Sequence, residues 1–205
     1  MDYNLNKKII LFQGDSITDK GRDRSDINSL GDGYVMMIRS QFFAKNPGAQ
    51  SKFLNRGIGG NKAIDLCNRW DMDCIQLNPD LLTIFVGIND TSGSNPNEDS
   101  DFFKYYTEIL ERSISETNAK IILMEPFILP VNKERAGRRP KLDIKIDIVR
   151  KLALKYKTNL IPLDGIFNSA ATKTGYEFWA LDGVHPTPEG HALIAKEWFK
   201  ELENL

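Results

Sequence analysis

A three-layer α/β/α domain on a five-stranded parallel sheet is the fold this chain predicts. Apolar runs of strand length alternate with amphipathic stretches of helix length along all 205 residues. Residues 81–86 are continuously apolar, as befits a central parallel strand covered on both faces. No linker, repeat or low-complexity tract interrupts the pattern, so residues 1–205 read as one domain. Five strands favour the flavodoxin-like order 2-1-3-4-5, with the first strand between the second and third.

Taken in order, the first strand is the apolar run that ends at Gly14-Asp15-Ser16, and a polar loop follows to Gly33. Residues 34–44 have helical periodicity and stop at Asn46-Pro47-Gly48. A short strand over 51–55 runs into the glycine-rich turn Gly57-Ile58-Gly59-Gly60. The next helix places Ala63, Cys67, Trp70, Cys74 and Leu77 on one face and ends before Pro79. The third strand, 81–86, leads through Gly87-Ile88-Asn89-Asp90 into a polar loop over 91–101 and a helix from about 102 to 116. Residues 120–124 are the fourth strand, followed by a basic loop over 130–140. A helix over 142–156 carries Ile144, Ile148 and Leu152 on one side. The fifth strand, 159–164, contains Pro162 and so suits an edge. A short helix near 166–171 comes next, and the last helix opens with Thr187 as N-cap and Pro188 at its first position.

Composition excludes several function classes. The formal net charge is −1, which gives no bulk attraction to nucleic acid or an anionic membrane. The longest apolar runs are strand-sized, far short of a membrane span. The polar start lacks the marks of a signal peptide, so the expected location is the cytoplasm. Cys67 and Cys74 stand about two helical turns apart, roughly 10 Å of rise, too far to pair within that helix. His185 and His191 are the only histidines, and no Cys/His cluster has ligand spacing, so neither a metal nor another cofactor is expected. His191 reads as a surface residue in the first turns of the last helix.

The strand order gathers a constellation. Ser16 follows the first strand, Gly60 the second and Asn89 the third, all at carboxyl ends of neighbouring strands. Asp182 and His185 come from the last loop, which can fold over the same edge. A serine hydroxyl needs a base to become a nucleophile, and an imidazole that titrates near neutrality is suited to that task. Asp182, three residues before His185, is placed to fix its tautomer. Charge growing on an attacked carbonyl oxygen needs donors already aimed at it. The backbone N–H groups of Ser16 and Gly60 and the side-chain amide of Asn89 are the candidates. Asp15 shapes the turn by accepting backbone hydrogen bonds, and it joins Tyr34 and Trp179 as a candidate substrate contact. Phe127, Tyr176 and Phe178 add rings on which a sugar can stack, and Arg22, Arg24, Arg138 and Arg139 add donors for hydroxyls. The loops over 18–33, 91–101 and 130–140 are polar, so the site lacks the apolar lid of an interfacial lipase.

Gly14-Asp15-Ser16, residues 55–60, Gly87-Ile88-Asn89-Asp90 and Asp182-Gly183-Val184-His185 resemble the four blocks of the SGNH (GDSL) hydrolases. The resemblance implies Ser16 as nucleophile, Gly60 and Asn89 in the oxyanion hole with Ser16, and Asp182 and His185 completing a triad. No G-x-S-x-G elbow surrounds Ser16, so the α/β-hydrolase fold does not fit. Residues 12–24, 30–34, 58–61 and 121–127, with Arg69-Trp70, Arg138-Arg139 and residues 185–191, are further similar to cytoplasmic acetylxylan esterases of this family. That resemblance implies deacetylation of xylo-oligosaccharides or other carbohydrates by a homo-oligomer that needs no cofactor. One departure is visible: Leu181 stands where those relatives carry a tryptophan, and Trp179 lies two residues further back. The alternatives are a lysophospholipase or thioesterase of the same fold and a non-catalytic carbohydrate-binding protein.

Overall fold

The computed structural model describes residues 4–92 and 96–205. Five strands form one parallel sheet: β1 (Ile9–Gly14), β2 (Lys52–Asn55), β3 (Leu81–Phe85), β4 (Lys120–Met124) and β5 (Asn159–Ile161). Their order is β2-β1-β3-β4-β5, as expected. Ile10 is registered against Phe53 on one side and Leu81 on the other, so all strands end at one edge.

The sheet's alternation sorts its side chains into two cores. Ile10, Phe12, Phe85 and Met124 pack on one face, under helices α2 (Tyr34–Lys45), α8 (Leu163–Thr174) and α9 (Pro188–Leu202). Leu11, Leu82, Ile84 and Leu123 pack on the other, under α3 (Ala63–Asn68), α5 (Glu98–Glu116) and α7 (Arg139–Tyr156). Each face holds a buried tryptophan whose N–H is satisfied: Trp198 donates to Thr83 Oγ1 at 3.0 Å and Trp70 to Ser113 Oγ at 3.1 Å. Thr187 caps α9 by accepting from Gly190 N, with Pro188 at the first position, as predicted.

Several local readings need correction. The fifth strand ends at Ile161, and Pro162 is the N-cap of α8 (Leu163–Thr174) rather than a strand residue. The helix expected from Ala63 to Leu77 is broken at Arg69 into α3, α4 (Trp70–Asp73) and a 3-10 turn over Ile75–Leu77. Arg69 leaves the helical basin at φ −110° and ψ 9°, and its guanidinium donates to Asn61, Gln13 and Asp73. Helix α5 starts at Glu98 rather than 102, and three acids in its first turn suit the positive end of the helix dipole. The loop over 130–140 contains α6 (Lys133–Gly137), and α7 begins at Arg139. Ile144 faces solvent on α7, where Ile146 and Val149 carry the buried stripe. The two cysteines are free. Among the described residues no helix is long and apolar enough to cross a membrane.

Candidate active site

Ser16 opens a single helical turn, α1 (Ser16–Asp19), directly after β1. Asp15 is its N-cap, accepting from Ile17 N at 3.0 Å. The cap turns the chain sharply, so Ser16 stands partly exposed at the sheet edge while its neighbours on both sides are buried. Ser16 Oγ lies 2.9 Å from His185 Nε2. His185 Nδ1 lies 2.8 Å from Asp182 Oδ2. With a proton on Nδ1, this chain leaves the Nε2 lone pair facing the hydroxyl.

Asp182 and His185 sit on a tight turn rather than the helical turn their spacing suggests. Asp182 Oδ1 accepts from Val184 N at 2.9 Å and His185 N at 2.8 Å, which locks the carboxylate against the imidazole. Burial raises the Asp182 carboxyl, but the backbone and ring bonds from His185 and the Val184 N–H outweigh it and hold it below the usual carboxylate range.

The loops after β2 and β3 close the other side of Ser16. Gly60 has φ +83°, a backbone that favours glycine, and open space where a side chain would project. A side chain on the adjacent Gly59 would touch Ser16 Cβ. Asn89 Nδ2 donates to Asn61 O at 3.1 Å, which leaves the second amide hydrogen free to point elsewhere. The segment is fixed from below: Asp19 Oδ2 accepts from Gly59 N, Asn55 Oδ1 from Gly57 N and Asp90 Oδ1 from Ala63 N. Asp19 is also paired with Arg22 and Arg24. Burial, and second the Asp90 charge among the groups that raise it, push the Asp15 carboxyl up to about 7, against the Ile17 N–H. Burial likewise pushes Asp90 up to about 6 against the Ala63 N–H.

Ser16, His185 and Asp182 are thus joined in one chain at the carboxyl end of β1, and Gly60 and Asn89 follow β2 and β3 at the same end of the sheet. The reading of Asp15 and Tyr34 as substrate contacts is corrected. Asp15 is 1% exposed and Tyr34 fully buried, because α2 packs against α9 and carries the phenol into the core, where its hydroxyl meets Thr18 Oγ1 at 2.9 Å. Trp179 is partly buried with its ring edge-on to Phe167 and Phe178, beside an apolar groove of about 570 Å³ between α8 and α9. Phe127 is core. Arg22, Arg24, Arg138 and Arg139 all make bonds within the chain, Arg139 gripping both oxygens of Asp164. His191 is also corrected: it is buried, its ring accepts from Tyr34 N at 3.1 Å, and burial pushes it down to about 4. Among the described residues no group of three or more His, Cys, Asp or Glu side chains is placed to hold a metal ion.

The sequence marks Asp19, Asn61 and Arg69 only as parts of matching stretches, and predicts neither their tethering roles nor that of Arg135; a charged or amide residue beside a block is too common to show a tether.

Comparisons with known proteins bear on the family and the fold. The family model described as the GDSL-like Lipase/Acylhydrolase family matches residues 12–193. An acetylxylan esterase from Geobacillus stearothermophilus is 31% identical over 204 residues, 94% of this chain and 93% of that protein. A protein assigned as a GDSL-like lipase from Parabacteroides merdae superposes with a TM-score of 0.90 at 33% identity, covering 98% of this chain and 99% of the other. The crystal structure of the Geobacillus stearothermophilus acetylxylan esterase gives 0.88 at 28% identity, covering 98% and 96%. An α/β hydrolase enzyme from the metagenome of Lake Arreo, Spain, gives 0.86 at 26%, covering 98% of each chain. The chain belongs to the GDSL-like lipase/acylhydrolase family and is a carboxylic ester hydrolase.

Proposed function

We propose that this esterase removes small acyl groups, acetyl above all, from acetylated xylo-oligosaccharides or related carbohydrates through an acetyl-enzyme on Ser16. The observation that carries the chemistry is the unbroken chain from Ser16 Oγ to His185 Nε2 at 2.9 Å and from His185 Nδ1 to Asp182 at 2.8 Å. His185 takes the hydroxyl proton as Oγ attacks the ester carbonyl. The carbonyl electrons move onto oxygen, where the N–H groups of Ser16 and Gly60 and the Asn89 amide receive the charge. Collapse breaks the bond to the sugar oxygen, which leaves with the proton from His185. Water then attacks the acetyl-enzyme by the same route, releasing acetate and restoring Ser16.

The substrate class rests on the likeness to acetylxylan esterases and on the polar character of the loops near the site. A homo-oligomer and a cytoplasmic location complete the proposal, both on that resemblance. Replacing Ser16 by Ala tests the nucleophile, with 4-nitrophenyl acetate and acetylated xylo-oligosaccharides as substrates: turnover falls to background on both, and retained turnover removes the assignment. An acyl chain-length series tests the substrate: preference for acetate supports the carbohydrate reading, and preference for long chains supports a lysophospholipase or thioesterase instead.

A further inference from the structure

The segment between β4 and α7 is docked against the turn that carries Asp182 and His185. Leu129 N donates to Gly183 O at 2.8 Å. Gly183 has φ +80°, and a side chain there would collide with Leu129 O and press on Arg135 Cγ. Arg135, on α6, donates from Nε to the backbone oxygen of Asp182 at 2.8 Å. Its Nη2 lies 3.6 Å from Asp182 Oδ2, the same oxygen that faces His185 Nδ1. The Arg135 side chain is only 19% exposed, and Asn132 anchors its backbone by accepting from Arg135 N at 2.9 Å. A cation is thus held against the back of the carboxylate that serves His185.

Resting on the reading of Ser16, His185 and Asp182 as a triad, we infer that Arg135 is a positioning residue that orients Asp182 and sets the pH range in which His185 works as a base. The bond to the Asp182 carbonyl holds the turn. The guanidinium charge shares the carboxylate with the imidazolium and so weakens the imidazolium's stabilisation. The other charged or titratable groups facing His185 are Asp182 on its own turn, Asp15 before α1 and His191 on α9. Asp182 and Asp15, once ionised, favour the protonated ring. His191 is held neutral by burial down to about 4. Glu134 and Arg138 flank Arg135, and Glu134 partly offsets its charge at 3.7 Å. Arg135 is therefore the fixed positive charge that opposes protonation of His185 through Asp182.

The test compares Arg135→Gln and Arg135→Met, which remove the charge, with Arg135→Lys, which keeps it. The readout is the acid limb of kcat/KM, which reports deprotonation of the essential base in the free enzyme. Both uncharged variants move that limb upward by about half a pH unit, a loss of roughly threefold on its acid side, and high salt shrinks the difference between variant and wild type. The lysine variant keeps the wild-type limb even where kcat falls. Each limb is read against the variant's own plateau, so a lowered folded fraction does not shift it. An unmoved limb in both uncharged variants, or an equal shift in the lysine variant, overturns the inference and leaves Arg135 as a structural tether. Failure of the triad reading looks different: Ser16→Ala or His185→Ala then keeps turnover, whatever Arg135 does.

Discussion

The two sides of Ser16 are built on different principles. On one side His185 is more than half exposed and the chain from Ser16 to Asp182 runs along the surface, on a turn locked by the bonds from Val184 N and His185 N to Asp182 Oδ1. On the other side the strand-end loops bearing Gly60 and Asn89 are tied from beneath by Asp19, Asn55 and Asp90, each at most 9% exposed. Proton transfer tolerates solvent and is adjusted by nearby charge. Stabilising an oxyanion requires donors fixed before the charge appears. The triad side is therefore open to electrostatic tuning, and on the other side buried tethers fix the loops that carry the exposed Gly60 and the partly buried Asn89.

Substitutions can break this contrast or sharpen it. Ser16→Ala has the largest expected effect, a fall in kcat of about 10⁴-fold or more, because triad members act as a unit. Asn89→Ala follows, with kcat down about 10²- to 10³-fold and KM nearly unchanged, as for loss of one donor made only in the transition state. Steady-state kinetics on 4-nitrophenyl acetate reads both, and a raised KM at constant kcat for Asn89→Ala contradicts its placement. Asp19→Ala removes the acceptor for Gly59 N and unpairs Arg22 and Arg24, so its effect travels through the Gly60 loop. A kcat loss of about tenfold, with a melting temperature lowered by a few degrees, is expected for a broken buried network. Equal activity at unchanged stability shows that the loop holds itself.

A smaller effect concerns stability. Asp15 is raised from 3.8 to about 7 in the fold, so the native state holds its proton more tightly than the unfolded chain does. Its contribution is fully present below pH 3.8 and is lost as pH rises through about 7. Asp15→Asn keeps an acceptor for Ile17 N and cannot ionise. It flattens the decline in stability between about pH 4 and 7, with a gain of up to about 4 kcal/mol over wild type above that range. Urea unfolding across that range measures it, and parallel curves for the two proteins rule out the buried charge. Smallest is His191→Phe, which removes the acceptor for Tyr34 N at the start of α2 and costs about 1 kcal/mol.

Sheet order, the sheet-edge serine and the pairing of Asp182 with His185 were legible in the chain because each depends on local pattern. Apolar runs mark strands, and strand order then decides which loops become neighbours. What stayed hidden depends on partners distant in sequence. The helix breaks at Arg69, whose guanidinium bonds Gln13 and Asn61, and nothing in the apolar stripe from Ala63 to Leu77 announces either. Tyr34 and His191 carry no local sign of burial, yet their rings stack where α2 meets α9, 6.3 Å between centroids, and Tyr34 also packs against Phe12 and Phe85. Arg135 lies in a basic stretch whose composition does not separate a solvated charge from one pressed against Asp182.

The central claim is that Ser16 carries the acyl group between the two half-reactions. Rapid acid quenching after mixing enzyme with excess 4-nitrophenyl acetate, followed by peptide mass spectrometry, tests it most directly. One acetyl group on the peptide containing Ser16, appearing within the first turnover and absent from Ser16→Ala, is the predicted result. Steady turnover with Ser16 unmodified at every time, or an acetyl group on another residue that accounts for the rate, contradicts the account.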